Sequence, residues 1–180
     1  MVEYIYELKI PKERIAVLIG KRGEIKKQIE EQTKTQLEVD SREGDVIIKG
    51  DDTIRMYTAR EIIKAIGRGF NPECALLLLK SDYCFEVINI NDFIKSKSQL
   101  NRVRGRVIGS EGKARKTVEE LTETSISVYG KTIGIIGEPE KVSVARRAIE
   151  SLLGGSPHSS IYRWLEKNRS IMKRGGSIGS

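Results

Sequence analysis

Residues 19–39, IGKRGEIKKQIEEQTKTQLEV, return 89 positions later as residues 108–128, IGSEGKARKTVEELTETSISV. Gly20 and Gly23 match Gly109 and Gly112. Ile29 matches Val118, Glu30 and Glu31 match Glu119 and Glu120, and Thr33 and Thr35 match Thr122 and Thr124. Leu37 and Val39 match Ile126 and Val128. Past the next loop the spacing falls to 87, with Ile48 against Ile135, Gly50 against Gly137, Arg60 against Arg147, Ile62 against Ile149 and Ile66 against Leu153. The chain therefore reads as two copies of one unit of about 70 residues, followed by a tail.

Working outward, each copy resolves into the same elements. Residues 3–10 alternate as a strand. Pro11 can open a helix that places Ile15, Leu18 and Ile19 on one face. After the glycine loop, residues 24–33 read as a second helix, and 36–40 and 45–49 as strands around a polar turn. Asp51 and Asp52 offer an N-cap for a long helix carrying Ile54, Ile62 and Ile66. The second copy repeats the order over 84–90, 99–108, 113–122, 125–129, 132–136 and 139–153. Asn71-Pro72-Glu73 reads as a cap and first turn for a connecting helix over 74–79. In the tail, Ser156-Pro157 reads as N-cap and first position of a last helix, with Ile161, Trp164 and Leu165 on one face. Trp164 is expected to be a packing anchor, and Cys74 and Cys84 small buried residues. Residues 175–180 are expected to be disordered. Domain limits are expected at 1–81, 82–155 and 156–180.

Composition narrows the function classes. The 180 residues carry 32 Lys+Arg against 25 Asp+Glu, for a net charge of +7. The stretch 95–116 holds eight basic groups and one acid, Glu111, so it alone equals that net charge. The single histidine, His158, and the two cysteines leave no set of metal ligands or nucleophile with base, so neither cofactor nor metal is expected and the chain does not read as an enzyme. No phosphate-loop or zinc-protease motif occurs. The opening MVEYIYELKI has no secretory pattern, and no apolar run approaches bilayer length, so a cytoplasmic protein is expected. A basic chain with this little catalytic equipment points to a polyanionic partner.

The glycine loop supplies the physical means. Glycines let a backbone approach a phosphodiester without a Cβ in the way. The second glycine opens a helix, whose free N–H groups and positive dipole end face the anion. The copies differ in charge: residues 6–27 carry seven basic groups against three acids, a weaker excess than in 95–116. The second helix of copy one starts with Glu24, and that of copy two with Lys113-Ala114-Arg115-Lys116. Cations there oppose the helix dipole by ~0.3–1 kcal/mol each, which suggests that a ligand uses them.

Leu18-Ile19-Gly20-Lys21-Arg22-Gly23 and Val107-Ile108-Gly109-Ser110-Glu111-Gly112, each between helices and followed by paired strands, resemble the KH domain of the eukaryotic arrangement. The resemblance implies an α+β fold of two tandem type I KH domains, each βααββα with a three-stranded antiparallel sheet packed on three helices, plus a C-terminal helix. Such loops clamp about four single-stranded nucleotides. The tail Pro157-His158-Ser159-Ser160-Ile161-Tyr162-Arg163-Trp164-Leu165-Glu166, with Ala65-Ile66-Gly67-Arg68-Gly69-Phe70 closing the first copy, is similar to the archaeal Dim-two (partner-of-NOB-one) ribosome-assembly factors. Ser159 stands where the family usually has glycine. The intact Gly20-Lys21-Arg22-Gly23 fits the archaeal form better than the eukaryotic one.

That likeness implies a non-enzymatic factor that binds single-stranded RNA at the 3′ end of the small-subunit rRNA. Its implied partners are the rRNA, an rRNA-trimming endonuclease of the NOB-one type and the alpha subunit of initiation factor two. The RNA-binding set is expected to be Arg102, Arg104, Arg106, Ile108, Gly109, Ser110, Glu111, Gly112, Lys113, Arg115, Lys116, His158, Arg163 and Lys167. Gly20, Lys21, Arg22 and Gly23 form a secondary loop for RNA or a partner. His158 also reads as a hydrogen-bonding group at a helix start. The competing readings are a KH-fold protein-interaction scaffold, favoured for residues 1–80 by their near balance of charge, and a general mRNA-binding regulator, against which the tail motif argues.

Overall fold

The structure, a computed structural model, describes residues 3–174, so residues 175–180, expected to be disordered, lie outside the described part. The chain divides into two compact units, Met1–Phe85 and Glu86–Ser180. The first runs β1 (Tyr4–Lys9), α1 (Lys12–Ile19), a 3-10 turn (Lys21–Gly23), α2 (Glu24–Thr33), β2 (Gln36–Val39), β3 (Asp45–Gly50), α3 (Thr53–Gly67) and α4 (Pro72–Ala75). The second runs from β4 (Cys84–Asn89) through α5 (Leu100–Ile108), a 3-10 turn (Ser110–Gly112), α6 (Lys113–Thr122), β5 (Ser125–Tyr129), β6 (Thr132–Gly137) and α7 (Pro139–Leu153) to α8 (His158–Lys173). The strand orders are β1-β3-β2 and β4-β6-β5, so the last strand of each copy takes the centre. β3 pairs antiparallel on both sides, with Tyr6 opposite Ile48 in β1 and Leu37 opposite Ile48 in β2.

Alternation on the central strand sets the buried side. Val46 and Ile48 of β3 are fully buried beneath Leu18, Ile29, Ile62, Ile63 and Ile66 of the helices. In the second unit Ile133 and Ile135 of β6 are buried, with Val107, Val118, Ile149 and Leu152 from its helices. Each fully buried aliphatic side chain contributes roughly 1.5–3 kcal/mol. The repeated Thr-x-Thr has a core role. The Thr33 hydroxyl donates to the Ile29 carbonyl at 2.6 Å and lies 2.8 Å from the Thr35 hydroxyl; Thr122, Val118 and Thr124 repeat this at 2.6 and 2.8 Å. The repeated glutamate ties helix to strand: Glu30 accepts from the Leu37 N–H at 3.0 Å, and Glu119 from that of Ile126 at 2.9 Å.

Several sequence expectations need correction. Two residues, Asp51 and Asp52, link Gly50 to α3, whereas Glu138 alone links Gly137 to α7. The long helices therefore align one residue earlier than the sequence comparison gave: Met56 matches Val142, Arg60 matches Arg146 and Ile63 matches Ile149, each pair alike in burial. The expected connecting helix is α4 followed by a 3-10 turn, Leu76–Leu79, with the Asn71 side chain capping it through the Cys74 N–H at 2.8 Å. Cys74 and Cys84 are half-buried rather than buried. The N-cap of α8 is Pro157, not Ser156, and offers no side-chain acceptor. No helix among the described residues is long and apolar enough to cross a membrane.

Candidate nucleic-acid interface

The two glycine loops share one backbone. Gly20 and Gly109 have φ/ψ of 74/176° and 76/173°; the third loop residues, Arg22 and Glu111, have 56/26° and 54/28°. Gly23 and Gly112, at φ 74° and 75°, cap α2 and α6. The two glycines of a loop do different work. A Cβ on Gly109 would stand 2.6 Å from the Ala114 nitrogen, and one on Gly20 would stand 2.4 Å from Cγ1 of Ile25. The first glycine is thus required by the chain's own helix, a need that the sequence reading did not name. A Cβ on Gly23 meets nothing within 4 Å, and one on Gly112 meets only side-chain ends of Arg115 and Lys116 at 3.8 Å. The second glycine therefore lies open beside the first turn of α6, where no side chain caps the free N–H groups and which itself holds no acid, Glu111 standing just before it in the loop. An anion is the natural acceptor there.

The expected residues separate by role. Arg102, Lys113 and Lys116 are exposed and make no ion pair, and so do Arg163 and Lys167 on α8. Ser110 and Glu111 are exposed at the loop tip; Gly109 and Ile108 are half-buried, the latter an apolar side chain at the end of α5. Arg104 is half-buried, and its Nε has no protein partner. Arg115 pairs with Glu119 and reaches the Ile126 carbonyl at 3.5 Å, so it spans from α6 to the edge strand β5. Lys26 pairs with Glu30 at 3.5 Å at the matching place in the first unit.

Arg106 does not belong to this free set. Its Nε donates to the Leu152 carbonyl at 3.1 Å and its Nη2 to the Ser156 carbonyl at 2.6 Å, latching α5 to the end of α7. Arg14 does the same in the first unit, to the carbonyls of Ile66 and Phe70, both at 2.8 Å. The Nε2 of His158 lies 2.7 Å from the Arg106 carbonyl, so this ring serves as the hydrogen-bonding group at a helix start. That bond sets the start of α8 beside the end of α5, three residues before Gly109.

From there α8 packs on α6 and α7, burying Ile161, Leu165 and Asn168. The Arg147 guanidinium lies 5.1 Å from the Trp164 ring centroid, so this half-buried tryptophan anchors α8 to α7. At the far end Lys141 bonds Glu123 at 2.7 Å. The Lys141 ammonium, aided by Arg169 and Lys173, holds the Glu123 carboxyl below the ordinary glutamate range. Sequence reasoning missed Asn168, whose amide donates to the Trp164 carbonyl at 2.8 Å; a polar residue within an amphipathic pattern gave no signal of burial. In the first loop Lys21 and Arg22 are exposed, and Glu24 stands in the first turn of α2. No group of three or more His, Cys, Asp or Glu that could hold a metal exists among the described residues.

Comparison with known proteins agrees with this geometry. Residues 84–170 match the model of a eukaryotic-type KH domain (KH-domain type I) of the second PNO1 domain, and residues 5–65 match the general KH domain. The KH domain-containing protein MJ0443 of Methanocaldococcus jannaschii is 48% identical over 171 residues, covering 93% of this chain and 75% of that one. The pre-rRNA-processing protein pno1 of Aspergillus fumigatus is 30% identical, over 68% of this chain and 50% of its own. In the solved complex of a/eIF2alpha, aDim2p and rRNA from Pyrococcus horikoshii, the matching chain is 48% identical with a TM-score of 0.88, covering 93% of this chain and 95% of that chain. Two KH folds, their paired glycine loops and the helix that follows the second thus share one kinship: the chain belongs to the archaeal Dim2/PNO1 family of RNA-binding KH proteins.

Proposed function

We propose that this protein binds single-stranded RNA at or near the 3′ end of the small-subunit rRNA and acts there as a non-catalytic assembly factor in the cytoplasm. The observation that carries this reading is the second loop. There Gly112 leaves the uncapped first turn of α6 open, with Lys113 and Lys116 unpaired in that turn and Arg102 unpaired on the preceding helix α5. Phosphates would take the N–H groups and these cations. The half-buried Ile108 and the edge of β5 offer a floor and hydrogen-bonding groups to the bases. The exposed Arg163 and Lys167 of α8 would add to the positive field of this unit. The first loop, with Lys21 and Arg22, is a secondary site.

The relative that was solved with rRNA and the initiation-factor alpha subunit supports rRNA as the ligand and that subunit as a partner. The family resemblance adds a rRNA-trimming endonuclease as a neighbour on the same precursor. Crosslinking the protein to RNA in cells, followed by sequencing, tests the reading. The expected result is a peak at the 3′ end of the small-subunit rRNA. A signal spread over mRNAs would replace it with the regulator reading.

A further inference from the structure

The first unit carries an apolar edge that its repeat does not have. β1 pairs with β3 on one side only, which leaves its other edge of N–H and C=O groups free. Tyr4, Ile5 and Tyr6 on this strand are 43%, 59% and 39% exposed, and Ile54 and Tyr57 on α3 are 77% and 56% exposed. Tyr4, Ile5, Tyr6 and Tyr57 line, with Thr53, Met56 and Arg60, a groove of about 220 Å³ between strand and helix, and Ile54 follows Thr53 at its margin. The Arg60 guanidinium lies 4.7 Å from the Tyr57 ring centroid and 5.2 Å from that of Tyr6, and pairs with Glu61 at 3.1 Å. It braces the two rings and has its counter-ion already.

The same place in the second unit can be identified from the backbone. The Ile10 N–H donates to the Gly44 carbonyl at 3.0 Å, and that of Ile90 to the Lys131 carbonyl at 2.9 Å, so Tyr6 corresponds to Glu86. The helix alignment places Glu140 where Ile54 stands and Ser143 where Tyr57 stands. There Arg146 is braced by Glu86 at 3.1 Å and Glu150 at 2.9 Å. The KH fold therefore does not require the tyrosines or the isoleucine, and an exposed cluster of this kind marks an interaction site.

Charge selects the class of partner. Most cations around the groove are committed: Lys9 to Asp45 at 3.7 Å, Lys49 to Glu38 at 2.8 Å and Arg55 to Asp52 at 3.8 Å, while Lys64, one turn beyond Arg60 on α3, is exposed and has no ion pair among the described residues. Glu3, Glu7 and Asp51 make no ion pair among the described residues, although Glu3 lies within the field of Lys49. Three unpaired acids against the one unpaired Lys64 leave the local balance negative, which disfavours RNA and a second copy of the same acidic edge alike. An unpaired strand edge is the template for an added strand.

We infer that the free edge of β1 docks an extended segment of a protein partner, added as a fourth strand, with alternate apolar side chains against Tyr4, Tyr6 and Tyr57 and flanking Lys or Arg near Glu3, Glu7 and Asp51. This surface is independent of the glycine loops and of the RNA reading.

The test replaces Ile54 in the full chain by the photo-crosslinker benzoylphenylalanine, irradiates the source cells and sequences the crosslinked peptides. The same replacement at Glu140 is the control. The expected result is one protein segment of alternating apolar residues with basic flanks, captured from position 54 and not from 140. A synthetic copy of that segment should bind the unmodified chain. It should bind at least tenfold more weakly to Tyr4→Ser/Tyr57→Ser and to Ile54→Asp, whose RNA affinity should be unchanged. Crosslinks to RNA, to a second copy of the chain or to no discrete segment would overturn the inference. So would undiminished binding of the segment by both folded variants.

Discussion

The loop Gly20–Gly23 and the loop Gly109–Gly112 follow one path within a few degrees, yet they present opposite chemistry at the tip: Lys21 and Arg22 in one, Ser110 and Glu111 in the other. Away from the tip the order reverses. α2 begins with a glutamate, α6 with Lys-Ala-Arg-Lys, and only the second unit has a basic helix laid along its α6. The backbone is thus a shared frame set by glycine positions, and affinity is distributed over the helices that flank it. The contrast continues along the edges of β1 and β4, where the first unit is aromatic and acidic and the second carries Glu86, Ser143 and Arg146.

The largest effect should separate the two glycines of one loop. Gly109→Ala forces a Cβ onto the Ala114 backbone at positive φ and should destabilise the second unit by about 3 kcal/mol or more. Gly112→Ala meets open space and should cost only about 1–2 kcal/mol for its left-handed φ. Urea denaturation of both variants would measure the gap. Equal losses would mean that the first glycine is not held by α6.

Next, Arg106→Ala should cost about 2 kcal/mol of stability, because the Leu152 and Ser156 carbonyls lose charge-assisted bonds. RNA affinity per folded molecule should stay the same, whereas Arg102→Ala should show the reverse pattern. A charge-matched pair compares the loops directly. Lys113→Glu/Lys116→Glu should weaken binding of a single-stranded rRNA 3′-end oligonucleotide about tenfold or more, and Lys21→Glu/Arg22→Glu by less. A larger loss from the first loop would invert the ranking of the units.

α8 should contribute a smaller share. For about four to six phosphates the slope of log K against log salt is roughly −3 to −4, and Arg163→Glu/Lys167→Glu should reduce its size by about 1. These point changes are preferable to deleting the helix, since Ile161 and Leu165 are part of the core of the second unit. An unchanged slope would make α8 a purely structural cover.

The smallest effect is expected at the far end of α8. The carboxyl of Glu123 is depressed first by its bond to Lys141 and then by the charges of Arg169 and Lys173. Its folded pKa lies below its unfolded one. Its contribution is therefore complete above the unfolded value and is lost as pH falls through the folded value. The pair is half-exposed, so Glu123→Gln should cost no more than about 1 kcal/mol at pH 7, and the difference from wild type should vanish in acid. Thermal melts at both pH values would measure this difference.

How much could be read in advance depends on the range of the interaction. The Gly-x-x-Gly loops, the strand alternation and the Asp52 cap, which accepts from the Ile54 and Arg55 N–H groups, all act within a few residues, so the order of elements was legible in the chain itself. The helix register slipped by one because Asp51 has no counterpart before α7, and the adjacent pairs Ile62-Ile63, Arg146-Arg147 and Leu152-Leu153 let the helices align almost equally well in either frame.

By itself the sequence determined the duplicated KH fold, the glycine loops and the basic run, because these follow from periodicity, positive φ and charge along the chain. Tertiary structure decided which members of that run are free. Arg106 and Arg102 look alike in sequence, and only the long-range approach of Leu152 and Ser156 takes one of them out of solvent. The same holds for five residues from β1 and α3 that become one apolar edge only when strand and helix meet. A contact between residues some fifty positions apart leaves no local pattern to read, and the partner it selects is written in space and not in spacing.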